Sequence, residues 1–589
     1  MSARGYTPDR KSLVQFDRRF FSGKEHFTYI GSDSLGGKAN GLAHIKGVLE
    51  TELGDKFASD ITVEIPTLTV IATDHFDQFM KQNRLLDTVA AETRDDLLAH
   101  AFQKADLPVQ LVGDLRALAE QVHRPLAVRS SSMLEDAMFE PFGGIYGTKM
   151  IPNNQPDADT RFRRLSEAVK LVYASTYFAD AREYRAATKH TDKDEKMAVI
   201  IQEVMGSRFD SRFYPNISGV ARSYNFYPSG HAAPEDGVVD LAIGLGKTIV
   251  DDSVAWSYSP AYPNADPPYN SIGDLLKQTQ TRFWAINMGK PPPYNPISET
   301  EHMNRCDLAD AEYDGSIMHV ASTYVPANDR IVMGTGSDGP RIINFAPILR
   351  GDALPLNDLL KDLLAACEAG LGSKVEIEFA VTLAGRAVKP ARFGFLQVRP
   401  MVVSGEQVDL DHSELCGPDV LVASDSVMGN GTLDTIRDVV FVKPDRFDTK
   451  YTASIADQLG RINAGLVEAR RPYLLIGFGR WGTSDPQGGI PVRFGQVSGA
   501  KAIVEATLPD LDYSLSQGSH FFHNLTSFRI YYFSIRHSGE YAVNWDVLRS
   551  ATLIGETEYL SHVEFASPLR IKVDGKKGWG VITHERSQK

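Results

Sequence analysis

Short, wholly apolar runs closed by glycine or polar turns alternate along this chain with segments whose apolar residues recur three and four apart. Near residue 30, TYIG gives way to Gly36, Gly37 and Lys38, and then to Leu42, Ile45 and Val48 at helical spacing. That order predicts strand, glycine turn and helix, with Lys38 at the helix N-terminus. A second strand and helix follow in VEIPTLTVIATDHFDQFMKQN, and helical segments continue to about residue 120. The run PLAVRSSS then reads as a buried strand that delivers Arg129, Ser130, Ser131 and Ser132 at its end. Glu135, Asp136 and a loop with Gly143, Gly144 and Gly147 come next.

The helical pattern returns with Leu165, Val169, Val172 and Tyr173, and KMAVIIQEVM is a continuous apolar strand ending in Gln202 and Glu203. SGVARSYNFYP and DGVVDLAIGLGKTIVDD give two more strands, the second closed by Gly244, Gly246, Lys247 and Thr248. Residues 252–345 are rich in proline, asparagine and tyrosine and read as an insertion of loops and short elements on the core. After the helix LNDLLKDLLAACEAGLG, two strands flank a turn at Gly385. The period-two rule puts Glu376 and Glu378 on one face of the first, and Gln397 and Arg399 on one face of the second.

A chain of 589 residues exceeds one core and suggests three or four packing units. With 42% hydrophobic and 23% charged residues it has an ordinary soluble composition. A formal charge of -13 argues against general affinity for nucleic acid or anionic membrane, so any phosphate site must be local. Cys306, Cys367 and Cys416 lie far apart without metal-ligand or disulfide spacing, which fits a reducing cytoplasm. No apolar run has the length of a bilayer span, and the first residues lack a signal-peptide core.

Several features point to an anionic ligand. Arg129 with three hydroxyls and a glycine loop suits phosphate, or else forms a surface turn in which the arginine pairs with neighbouring carboxylates. Lys38 at a helix N-terminus adds amide dipoles to an ammonium, or else is a solvated lysine in a tight turn. GLGKT is not a Walker A loop, because Leu241 stands where that loop needs glycine. Its glycines either contact a nucleotide or only connect strands. Oxygens of Glu378 and Gln397 on paired strands suit a Mg²⁺ bridging phosphates, and the alternative is a solvent-facing sheet laced by Glu/Arg pairs.

Taken in order, GGKANGL, AVRSSSMLEDAMFEPFGGIYGT, MAVIIQEVM, SGVA, LAIGLGKTIV, VEIEFA and LQVRP resemble the nucleotide-binding domain of the phosphoenolpyruvate synthase and pyruvate phosphate dikinase family. The resemblance implies an α+β, ATP-grasp domain of two lobes over residues 28–405, preceded by an arm at 1–27 and followed by a smaller α/β domain at 406–589. It implies ATP between the lobes, Lys38 and Arg129 on phosphates, Glu378 and Gln397 near Mg²⁺, and Arg399 beside the transferring groups. Glu376 takes a nearby acidic position, Gln202 and Glu203 approach the adenine, and the loop of Gly244 and Gly246 borders the nucleotide. Lys247 departs from the family, which commonly has an acidic residue after GLG.

The C-terminal 184 residues are too few for both a phosphohistidine domain and a TIM barrel of about 250 residues. The pyruvate-binding barrel is therefore expected to be missing. GNG, two apolar strands and then Gly518, Ser519 and His520 resemble the family's phosphohistidine domain. An exposed imidazole at a helix N-terminus is a reasonable phosphoryl carrier. Phe521, Phe522 and a longer insertion depart from that pattern, His523 is a rival, and a packed structural histidine is the alternative. In GRWGTSDP, Arg480, Thr483, Ser484 and Asp485 either bind a phosphate or acidic acceptor on which Trp481 stacks, or form a capped turn that holds the tryptophan in the core.

The resulting expectation is an ATP-dependent phosphotransferase that passes phosphate through His520 to an acceptor, small molecule or protein, that the sequence does not name. Direct transfer would leave ADP in place of AMP. The alternative is an ATP-binding regulatory or scaffold protein without turnover. An ATP-grasp carboxylate ligase fits the motifs less well.

Overall fold

The computed structural model describes residues 13–19, 26–54, 56–135, 144–187, 195–228, 231–251, 255–265, 272–385, 388–401, 403, 408–483, 488–508, 525 and 530–585. Two six-stranded sheets, with a four-stranded and a three-stranded one beside them, are built from the first two thirds of the chain. In the first, the order is Val14–Gln15, Phe27–Ile30, Leu68–Ile71, Met197–Glu203, Leu126–Ser132 and Thr148–Ile151. The arginine-bearing strand thus lies inside the sheet, antiparallel to both neighbours. Its apolar run is buried against the helix Ala158–Ser175, whose Leu165, Val169 and Val172 face inward as their spacing requires.

The second sheet runs Trp256–Tyr258, Val238–Ala242, Ile217–Arg222, Val375–Thr382, Ala391–Pro400 and Ile61–Glu64. All pairs are antiparallel except the last. The helix Gly36–Glu52 touches both sheets, packing on Leu126–Ser132 and on Ala391–Pro400. Leu42, Ile45 and Leu49 lie on its buried face.

The insertion is part of the core's framework and not an outer decoration. Its strands Arg282–Asn287 and Met303–Asp307 join Ser207–Phe209 and Arg212–Tyr214 in a four-stranded sheet. A buried ion pair then ties it to the first sheet: Lys149 Nζ lies 2.6 Å from Glu301 Oε2, with both side chains almost fully buried. Arg164 adds a second contact to Glu301 at 3.3 Å.

The C-terminal region builds a mixed sheet. Gly431–Val442, Tyr473–Phe478, Ala500–Ala506 and Tyr531–Ile535 run parallel in that order. Continuous apolar runs such as YLLIGF and AIVEA are what a sheet covered on both faces needs. Leu560–Asp574, Trp579–Thr583 and Val420–Ser424 extend it antiparallel. The region docks on the first lobe where the Phe494 ring meets Tyr184 at 5.1 Å and Arg493 meets Asp180 at 3.3 Å.

Removing one partner of a buried pair strands the other's charge. Lys149→Met is therefore expected to cost about 3–5 kcal/mol, read as a lower urea midpoint with faster proteolysis within residues 252–345. A variant as stable as the parent would show that other contacts hold the insertion.

Candidate nucleotide site

Between the two six-stranded sheets lies a cavity of about 360 Å³. One end is apolar: Ala127, Met150, Val204, Leu245 and Met303 line it, backed by Phe213, Ile286 and Met288. Such a slot accepts a flat, uncharged ring. Gln202 and Glu203 sit here at the end of their strand. Burial pushes the Glu203 carboxyl up, with Arg124 at 3.5 Å pulling the other way.

The opposite end is built by strand register. Across three neighbouring strands Arg222, Glu376 and Arg399 form one row, and Val220, Glu378 and Gln397 form the next. Residues two apart share a face, so both rows present their polar groups to the cavity. Glu376 is clamped: Arg222 Nε donates to Oε2 at 2.6 Å and Arg399 Nε donates to Oε1 at 2.7 Å. Arg222 also pairs with Asp240 at 2.7 Å.

Arg129 reaches these rows from the first sheet. Its Nη2 donates to Gln397 Oε1 at 2.8 Å and to Glu378 Oε2 at 3.2 Å, and its Nη1 donates to the Leu396 carbonyl at 3.2 Å. The arginine therefore bonds across the cavity and not to Glu135, the described carboxylate that follows it in sequence.

Lys38 is the third residue of the helix Gly36–Glu52 and lines the same end. It is buried, with Nζ 2.7 Å from Glu135 Oε1 and 3.2 Å from Ser130 Oγ. This corrects the solvated-lysine reading. The serine triplet also needs correction, because its hydroxyls are not a phosphate cup. All three are fully buried and engaged locally. Ser130 Oγ donates to Glu135, Ser131 Oγ accepts from the Ala39 amide and donates to Leu35 O, and Ser132 Oγ accepts from the Leu134 and Glu135 amides. They fasten the strand end to the helix N-terminus.

The two glycines before Lys38 follow from that fastening. A Cβ on Gly36, whose φ is +76°, would lie 1.6 Å from the Ser131 carbonyl oxygen, and one on Gly37 would lie 1.7 Å from that of Glu135. Gly246 lines the cavity, but Gly244 does not. At φ +88° Gly244 lets its loop pass Phe283 and Trp284, where a Cβ would come within 2.8 Å, so packing explains this glycine. Lys247 stands at the wall with Nζ 6.0 Å from the centre of the Trp284 ring.

Three cavity groups, Arg222, Glu299 and Tyr146, and one carboxylate behind them escaped the sequence reading. Arg222 was legible in principle, since the alternation through Ser218 and Val220 carries it to the Glu376 row. Glu299 comes from the insertion and accepts from the Thr148 amide at 3.0 Å. Tyr146 lines the cavity and donates to Glu195 Oε2 at 2.7 Å. Behind it, burial lifts the Glu195 carboxyl to about 7. Only three-dimensional packing reveals that pair.

The family model for the pyruvate phosphate dikinase AMP/ATP-binding domain matches residues 32–415, a span that contains every wall of this cavity. The chain belongs to that family. A search of curated proteins found no match. The dikinase-type domain is one that binds AMP or ATP, and the cavity has the two-ended character such a ligand requires. Lys38, Arg129, Gln202, Glu203, Gly246, Glu376, Glu378, Gln397 and Arg399 all line it.

His520, Gly518, Ser519 and His523 lie outside the described residues, as do Asp136, Gly143, Ser484 and Asp485. Trp481 is buried and its Nε1 donates to the Val504 carbonyl at 3.1 Å, so it is a core residue and not a stacking platform. No helix among the described residues is long and apolar enough to cross a membrane.

Two outcomes follow. Gly36→Ala is expected to lower stability by about 2–4 kcal/mol, measured by chemical denaturation, because its Cβ meets backbone and not a movable side chain. For Glu195, the folded protein holds the proton more tightly than the unfolded chain. Its contribution is complete below the ordinary value of 4.5 and is lost as pH rises to about 7. Above pH 7.5, Glu195→Gln should therefore be more stable than the parent by up to about 3 kcal/mol, with the gap closing toward pH 4.5 in a pH series of melts.

Proposed function

We propose that this protein is an ATP-dependent phosphotransferase of the dikinase type, with an ATP-grasp arrangement of two lobes around the cavity. The observation that supports it best is the cavity's polarity: an apolar slot at one end, and at the other Lys38, Arg129, Arg222 and Arg399 gathered around carboxylates. The base of ATP lies in the slot beside Gln202 and Glu203, and the phosphates lie toward the cations. Lys38, Arg129 and Arg399 offset phosphate charge and hold the chain of phosphates in line. Arg222 keeps Glu376, and through it Arg399, in place.

Glu378 and Gln397 would hold Mg²⁺. Their oxygens are hard donors on adjacent strands and already share a cation, the Arg129 guanidinium, so the donor set fits. No cluster of three or more His, Cys, Asp or Glu able to hold a metal occurs among the described residues, and a Mg²⁺ that keeps phosphate and water ligands needs none. When bound, the ion would neutralise charge on the phosphate oxygens. The phosphoryl group passes to His520 and then to an acceptor that is a small molecule or a partner protein. A cytoplasmic location suits the three unbridged cysteines.

The test uses ATP labelled separately on the β- and γ-phosphates. Acid-labile label from the β-position on the protein, AMP as product, and loss of both in His520→Ala would support the carrier route. Lys38→Ala and Arg399→Ala should each lower turnover about 100-fold or more. ATP binding without turnover, even with cell extract as a source of acceptors, would overturn the phosphotransferase reading in favour of a regulatory one.

A further inference from the structure

The contacts of Arg129 carry a consequence for how a metal ion enters the site. Its three hydrogen bonds all go to the opposite sheet, and two of them end on the oxygens of Glu378 and Gln397. Glu135, the nearest described carboxylate after it in the chain, is already bonded to Lys38, Ser130 and the Ser132 amide. We propose that Arg129 is a built-in counter-ion that occupies the metal ligands in the nucleotide-free protein, so that a divalent cation gains Glu378 and Gln397 only when phosphates draw the guanidinium away. The inference rests on the nucleotide-site reading above.

The charges named at this end balance without any ligand. Lys38, Arg129, Arg222 and Arg399 supply four positive charges, and Glu135, Asp240, Glu376 and Glu378 supply four negative ones, in direct pairs. Each oxygen of Glu376 already holds an arginine, so it cannot serve an incoming ion as second carboxylate without giving up at least one of them. At Glu378 and Gln397 a free divalent cation would therefore meet one carboxylate and one amide, beside a guanidinium that it must displace from both. These side chains are largely shielded from water, with Arg129 14% and Glu378 25% exposed, so the repulsion is only partly screened. Nucleotide phosphates reverse the balance, since they supply anionic partners for Arg129 and further oxygen ligands for the ion. Metal and nucleotide should then bind with strong mutual dependence.

The test measures Mn²⁺ binding to the full chain by electron paramagnetic resonance, with and without a non-hydrolysable ATP analogue. Wild-type protein should bind free Mn²⁺ weakly and gain at least about tenfold in affinity with the analogue. Arg129→Ala should bind Mn²⁺ alone about tenfold or more tightly than wild type, Arg129→Lys should keep the block, and adding Glu378→Gln to Arg129→Ala should abolish the gain. Arg129→Gln makes the same comparison if the alanine variant does not fold. Free Mn²⁺ binding no tighter in the folded charge-removed variant would overturn the proposal. Analogue binding to wild type without added metal is followed separately by equilibrium dialysis. Its absence under all conditions would sink the nucleotide-site reading, whereas its presence with an unchanged Mn²⁺ affinity in the variant sinks only the counter-ion role.

Discussion

The site depends first on one close approach, the N-terminus of the helix Gly36–Glu52 set against the end of the strand Leu126–Ser132. Two glycines bring backbone to backbone, Ser131 bonds the helix on both sides of the joint, and Glu135 receives Lys38. Because the same helix also packs on Ala391–Pro400, it sets the spacing between the two sheets. Lys38 and Arg129 are thereby held on one side of the cavity and Glu378, Gln397 and Arg399 on the other.

Burying this much charge is not a route to stability. A buried ion pair gains little over an apolar pair of the same shape, and losing one member costs several kcal/mol. The chain nonetheless places a row of three charges across neighbouring strands, with Glu378 in the next row, and pairs them with one another and with Arg129 of the other sheet. The physical return is geometry: Arg129 and Arg222 are each held by two or more acceptors and Arg399 reaches Glu376 through two of its nitrogens, so each guanidinium has a fixed plane before any ligand arrives.

Much of this was legible in the sequence because strand periodicity is strict. The sharing of a face by Glu376 and Glu378, the pairing with Gln397 and Arg399 and the helix-terminal position of Lys38 all followed from local spacing. What failed did so for want of tertiary partners. Three serines after an arginine look like ligands until the carbonyls and amides they serve are known. Gly244 looks like a phosphate-loop glycine until Phe283 and Trp284 are found beneath it. Trp481 offered two readings that only its depth in the core separates. Glu195 carried no local signal, since its perturbation arises chiefly from burial, which the hydrogen bond from Tyr146 only partly offsets.

The placement of the insertion changes the view of the cavity's apolar end. Its proline- and asparagine-rich sequence reads as loops and short elements added to the core, and the structure shows that it contributes Glu299 and Met303 to the cavity and is anchored through the buried Lys149 pair. An outer loop would not bury an ion pair, because solvation is lost with no structural gain. A segment whose exact height over the strand Thr148–Ile151 matters has reason to do so. The cavity wall carries Lys247 after GLG, and the insertion brings in the carboxylate of Glu299. Local sequence reports the lysine alone, and the fold shows a carboxylate arriving from elsewhere in the chain.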